Sequence, residues 1–228
     1  MSAGLLELGE VMMTASERRL DIASRNIANA STPGYKASTS FATTLEHIEE
    51  SADMAQGGLH AAQSPFDLAL SSPGFFALRD GDQVYYTRNG QFTRAADGRL
   101  VNAQGMALQT DTLADVVIDS DGAEITADGA IVEHGAPVAH IGVFEPQAGA
   151  NLHALGGSFF SANAETMPPA STPLLRPGML EASNVDTATE MIAMMAAMRE
   201  AEAGARVVQT YDGLIEQSIA TFNKAPNP

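Results

Sequence analysis

The sequence predicts an α+β protein: long N- and C-terminal helices, paired in coiled-coil-like fashion, around a central antiparallel β-rich domain. Three observations predict it. Apolar residues recur at heptad-like spacing at both ends of the 228-residue chain. Tight-turn dipeptides recur through the middle: Asp-Gly at 80–81, 97–98, 121–122 and 128–129, and Asn89-Gly90. Charge divides along the same lines. Residues 1–45 hold four acidic and four basic side chains, residues 46–180 seventeen and five, and residues 181–228 seven and three, for a formal net charge of −16.

The first element, within residues 1–45, is a helix and the turn that ends it. Leu6, Met13, Leu20 and Ile27 recur every seven residues, and Gly9, Ser16, Ala23 and Ala30 follow each by three. Such a seam of alternating large and small residues suits close helix–helix approach. Asn29-Ala30-Ser31-Thr32-Pro33-Gly34 stops the helix, because proline biases its predecessor out of the α region and glycine permits a sharp turn. Residues 46–63 read as a linker.

Residues 64–180 read as the β-rich domain. Between the turn dipeptides lie short apolar or alternating runs: Phe66–Leu70, Gln83–Tyr86, Val116–Ile118 and Ile141–Phe144. The proline-rich stretch 167–178 reads, like 46–63, as a flanking linker. Residues 181–228 read as a second, longer helix with Asn184 or Asp186 as its cap and Glu190 in an early turn. Met194, Met198, Ala201, Ala205, Val208, Ile215, Ile219 and Phe222 follow a 4-3 beat that breaks at Asp212. A narrow apolar stripe leaves a lone helix marginal in water, so each terminal helix needs a partner.

Composition excludes several kinds of chemistry. With no cysteine there is no disulfide, thiolate nucleophile or Cys-bound metal. The acidic balance disfavours nucleic acid and anionic lipid as partners. The five histidines, His47, His60, His134, His140 and His153, show no zinc spacing. No Gly-x-Ser-x-Gly elbow, phosphate loop or dinucleotide fingerprint is present. Asp119-x-Asp121-Gly122 has the start of a calcium loop without its remaining ligands, and reads as a hairpin turn. The methionines at 191, 194, 195 and 198 read as adaptable packing, with a soft-metal site as the alternative. No catalytic residue, metal, cofactor or small-molecule substrate is expected. The N-terminus has no basic segment, and Glu7 and Glu10 interrupt any apolar run, so it is a poor secretory signal. No stretch approaches the roughly 18 apolar residues of a membrane span.

Four blocks of sequence, in order, resemble the bacterial flagellar rod and hook protein family. The first is Ala23-Ser24-Arg25-Asn26-Ile27-Ala28-Asn29-Ala30-Ser31-Thr32-Pro33-Gly34-Tyr35-Lys36. The second is Asp67-Leu68-Ala69-Leu70 with Gly74-Phe75-Phe76, and the third is Tyr86-Thr87-Arg88-Asn89-Gly90-Gln91-Phe92 with Asp97-Gly98-Arg99-Leu100-Val101. The fourth is Leu180-Glu181-Ala182-Ser183-Asn184-Val185-Asp186 with Glu190-Met191 and Arg199. Ala201 stands where relatives tend to carry an aromatic, Gly204 where they carry a polar residue, and Ser71-Ser72-Pro73 where Gly-Asp is usual.

The resemblance implies a non-enzymatic subunit of the flagellar basal-body rod, assembling helically to carry torque across the periplasm. It implies paired terminal helices as the axial domain and the β domain outside them. Partners would be copies of this chain and other rod proteins, with export through the flagellar type III apparatus and no cleaved signal peptide. The short 46–63 connection favours the proximal rod, with a distal-rod or hook-type subunit as the alternative. From a different class, a soluble carbohydrate-active or binding protein would pack both helices on its own β domain. The expected subunit contacts are Leu6, Met13, Leu20, Asn26, Ile27, Asn29, Thr32, Pro33, Gly34 and Tyr35. From the second helix they are Asn184, Val185, Met194, Met198, Ala205, Val208, Ile215 and Ile219. The terminal stripes are expected to become ordered only on assembly.

Overall fold

A computed structural model of the chain describes residues 3–42, 48–119 and 122–223. It is α+β, with helix α1 over Ala3–Ala28, a β-rich body and helix α2 over Thr187–Asn223. The chain divides into two compact units. One comprises Met1–Ala28, Ser38–Asp53 and Val185–Pro228; the other comprises Asn29–Ala37 and Met54–Asn184.

In the helical unit, α2 begins where Asp186 caps it. The Asp186 carboxylate accepts from the Ala188 N–H (3.1 Å) and the Thr189 hydroxyl (2.8 Å), and its carbonyl accepts from the Glu190 N–H. Glu190 in the first turn complements the helix dipole. α1 and α2 pack against each other where two glycines meet. A β-carbon on Gly9 would lie 2.9 Å from Val208 Cγ2, and one on Gly204 would lie 3.0 Å from Met13 Cγ and 3.3 Å from the Gly9 carbonyl oxygen. Gly204 costs about 1 kcal/mol of helix propensity relative to alanine, and this close backbone approach accounts for its presence. Among the described residues of α1 the innermost are the small ones, Gly9, Ser16 and Ala23, with Ile22 and Asn26; Met13, Leu20 and Ile27 flank them half-buried. Among the described side chains of α2 the buried positions are Ala197 and Gly204, seven apart. An antiparallel hairpin, Ser38–Ala42 with Ile48–Ala52, completes this unit.

The β unit is built on a sheet that runs, strand by strand, His153–Gly156, Phe159–Ser161, Gln83–Thr87, Phe75–Asp80, Ala107–Leu108, Leu100–Val101 and Thr93–Arg94; Val143–Phe144 also pairs with Phe75–Asp80. A second sheet orders Glu124–Ile125, Ala130–Glu133 and Ala136–His140. Leu68, Leu70, Phe76, Leu78, Phe92, Leu100, Leu108, Ile118, Ile131 and Leu175 form the core. Phe76 and Phe92 meet edge to face, with ring centroids 5.5 Å apart.

Three of the five turn dipeptides sit between paired strands: Asp80-Gly81, Asp97-Gly98 and Asp128-Gly129. Asp121 lies outside the described residues. Asn89-Gly90 closes no hairpin. Instead the Gly90 carbonyl accepts from the Leu68 N–H at 2.9 Å, and a β-carbon there would fall 1.7 Å from the Leu68 carbonyl oxygen. The expected Val116–Ile118 strand is reduced to one isolated bridge, Val117 with Arg99. The stretches read as linkers carry pairing strands. Leu59–Ala61 pairs with Met179–Glu181, and Leu68–Leu70 with Leu175–Pro177, so the unit is closed by its own C-terminal segment.

Leu78 has no exposed surface in the centre of this core. Leu78→Ala is expected to destabilise the β unit by about 2–5 kcal/mol, read from the midpoint of urea denaturation followed by near-UV circular dichroism.

Candidate assembly site

Three of the four sequence blocks converge on one buried carboxylate within the β unit. Glu181 ends the strand Met179–Glu181 with its side chain fully buried. One carboxylate oxygen accepts from Lys36 Nζ at 2.6 Å and from the Gly57 N–H at 3.0 Å, and the other accepts from Arg88 Nη1 at 3.3 Å. Its carbonyl accepts from the Gly34 N–H at 2.8 Å. Lys36 and Arg88 side chains are 1% and 8% exposed, so three charges share a desolvated site. Burial pushes the Arg88 guanidinium below its ordinary value, and Glu181 pulls it back. Arg88 also lies over the Phe75 ring, 5.7 Å from its centroid.

The backbone at Thr32-Pro33-Gly34 is shaped to deliver Lys36 to this cluster. Gly34 has φ +67°, and a β-carbon there would lie 2.3 Å from the Arg88 carbonyl carbon and the Asn89 nitrogen, so only glycine fits. Asn184 fixes the same segment from the other side. Its Oδ1 accepts from the Ala37 N–H at 2.7 Å, and its Nδ2 donates to the Ala55 carbonyl at 3.1 Å, which also accepts from Lys36 Nζ.

In the helical unit, Asn26 plays a similar part. It is buried, its Nδ2 donates to the Ser38 carbonyl (2.8 Å) and to a Glu190 carboxylate oxygen (2.9 Å), and its Oδ1 accepts from the Ser38 N–H (2.9 Å). Arg25 bonds Glu50 at 2.8 Å and holds that carboxyl below its usual range. Beside these, a groove of about 320 Å³ is lined by Ile22, Ala23, Ala193, Ala196 and Ala197 together with the Arg19–Glu200 ion pair.

The expected contact residues fall into three groups. Asn26, Gly34 and Tyr35 are buried inside the chain. Met13, Leu20, Ile27, Asn29, Thr32, Pro33, Asn184, Val185, Met194, Ala205 and Val208 are half-buried. Met198, Ile215 and Ile219 are exposed, and α2 also exposes Met191, Ile192, Met195 and Leu214, each at least 42%. The Leu6 side chain lies outside the described residues, as does His47. The residues that the contact reading missed are Lys36, Arg88 and Glu181, each within one of the four blocks, and Gly204, which faces the Gly9 of the small-residue seam.

A cleft in the β unit, about 390 Å³, brings Asp111, Asp128 and His140 beside Ser171 and Thr172. All three titratable groups are exposed. The Thr126 hydroxyl holds Asp128 below its usual range. Among the described residues no group of three or more histidine, aspartate or glutamate side chains could hold a metal ion.

Three family models match the chain. Residues 12–36 match "Flagella basal body rod protein", residues 69–133 match the "Flagellar hook protein FlgE/F/G D1 domain", and residues 176–221 match "Flagellar basal body rod FlgEFG protein C-terminal". The chain is 27% identical to the flagellar basal-body rod protein FlgF of Caulobacter vibrioides and 26% identical to that of Mesorhizobium japonicum, covering 91% of this chain and 93% of each relative. It is 35% identical to the flagellar hook protein FlgE of Rhizobium meliloti, over 46% of this chain and 30% of that protein.

Glu181→Gln leaves two buried cations without their anion. It is expected to destabilise the β unit by about 3–5 kcal/mol, measured by urea denaturation. Loss confined to the few tenths typical of surface changes would contradict the clamp.

Proposed function

We infer the role of this chain from its family: it belongs to the bacterial flagellar rod and hook proteins, and it is a structural subunit of the basal-body rod. The observation that carries the assembly mechanism is the water-exposed apolar surface of α2. Met191, Ile192, Met195, Met198, Leu214, Ile215 and Ile219 are 42–64% exposed on one helix. Exposed apolar side chains clustered at Met191–Met198, and again at Leu214–Ile219, mark interaction sites. The half-buried Met194, Ala205 and Val208 extend this surface, and buried Asn26, Gly34 and Tyr35 act by positioning the segments around them. A neighbour that covers this surface through a head-to-tail contact whose rotation does not close produces an open filament.

The subunit's partners are copies of itself and other rod proteins, and its assembly transmits motor torque across the periplasm. Rod relatives match over more than nine-tenths of both chains, whereas the hook relatives match over less than half of this one, which favours rod over hook. The short connection between residues 46 and 63 supports the proximal segment. Export through the flagellar type III apparatus goes with the same family reading. Among the described residues no helix is long and apolar enough to cross a membrane. The role requires no catalytic group or cofactor.

Ile215→Asp is expected to abolish incorporation into rods while the β unit keeps its near-UV circular dichroism. Basal bodies isolated from cells that make only the variant supply the test; incorporation at the wild-type level would overturn the assigned surface.

A further inference from the structure

The chain carries eleven methionines and no cysteine, so thioethers are its softest nucleophiles. Their environments differ sharply. Met167 is 2% exposed inside the β unit, and Met194 is half-buried. Met191, Met195 and Met198 are 53%, 53% and 52% exposed. Their spacing of four and three residues stacks them on one side of α2. Met54, 41% exposed, belongs to the other unit.

We propose that Met191, Met195 and Met198 form an oxidative modification site, at which a peroxide converts the thioethers to sulfoxides and so blocks the subunit from joining its neighbours. The proposal rests on the reading of α2 as the assembly surface. In each step the sulfur lone pair attacks one peroxide oxygen. The S–O bond forms as the O–O bond breaks, sulfur loses two electrons, and the remaining oxygen leaves as water after taking up the transferred proton. The product is a chiral, strongly hydrogen-bond-accepting group where an apolar, flexible side chain had been. Three such acceptors on one side of a helix must be desolvated without donors when a neighbour covers them, which opposes association. Unmodified, the same thioethers adapt their shape to the covering surface.

The test uses cells in which the full chain accumulates before rod assembly is induced. A pulse of hydrogen peroxide is quenched with catalase, assembly is then triggered, and the subunit is quantified in isolated basal bodies and in the unassembled pool, with peptide mapping of each. Three sole-copy chains are compared: wild type, Met54→Leu, and the triple variant Met191→Leu, Met195→Leu, Met198→Leu. Methionine-to-leucine changes keep helix propensity and volume, so α2 is retained.

The expected result is sulfoxide at residues 191, 195 and 198 well before residue 167. Incorporation of wild type and Met54→Leu should fall about tenfold or more, with the triple variant unaffected. The proposal is overturned if the triple variant loses incorporation as wild type does. It is also overturned if wild type bearing all three sulfoxides incorporates as untreated protein does, or if residue 167 oxidises as fast. Absence of the untreated chain from basal bodies is a separate outcome: it overturns the subunit reading itself, and the switch with it.

Discussion

The β unit depends on one buried anion. Glu181 is tolerable in a dry interior only because Lys36, Arg88 and the Gly57 amide surround it. Those groups lie some 93 to 145 residues away in sequence. Segments from both ends of the unit must therefore arrive together before any of the three charges can be desolvated. Such a cluster contributes little net stability over an apolar core of equal volume, yet it is severe about geometry. A one-residue slip of Met179–Glu181 against Leu59–Ala61 would turn the carboxylate to the opposite side and leave two cations buried without it. The cluster thus fixes the strand register that closes the fold.

The helical unit follows a different logic. Its contact is made by what is absent: β-carbons missing at Gly9 and Gly204 let the two backbones approach, and larger residues flank that approach. Within this unit Asn26 bonds Ser38 and Glu190, and the Ser16 hydroxyl donates to the Met12 carbonyl. Much of the apolar side-chain volume of α2 is consequently left facing water. One unit is internally complete and the other is internally underpacked, which is the division of labour expected of a subunit that is rigid in itself and sticky toward its neighbours.

Much of this was legible in the sequence, for physical reasons. Heptad spacing exposed both helices, because a seam of period near 3.5 has no other common use, and Asp186 announced the start of α2 through its capping chemistry. The Asp-Gly turns at 80–81, 97–98 and 128–129 were readable because that dipeptide tolerates positive φ. Asn89-Gly90 misled for an instructive reason: its glycine is required by the approach of the Leu68 backbone, a long-range fact that local turn chemistry does not encode. The strands at 48–52 and 59–61 escaped because their partners lie either within a short polar hairpin or near residue 180. Gly204 looked like a defect in a helix until Gly9 appeared opposite it. Lys36, Arg88 and Glu181 each stand in one of the four family-like blocks, yet nothing in single-sequence spacing tells that three charges will meet in the interior.

The Glu181 cluster binds residues 34–37 and 180–184 into the β unit, while α2 leaves much of its apolar surface exposed. Amide hydrogen exchange on the purified full chain, resolved to single residues, tests it most directly. The Gly34 and Gly57 amides, which donate to Glu181, and the Ala37 amide, which donates to Asn184, should exchange as slowly as the core amide of Leu108. The amides of α2 should exchange markedly faster. If Gly34, Gly57 and Ala37 instead exchanged with α2, or α2 were as protected as the β core in the isolated chain, the claim would be contradicted.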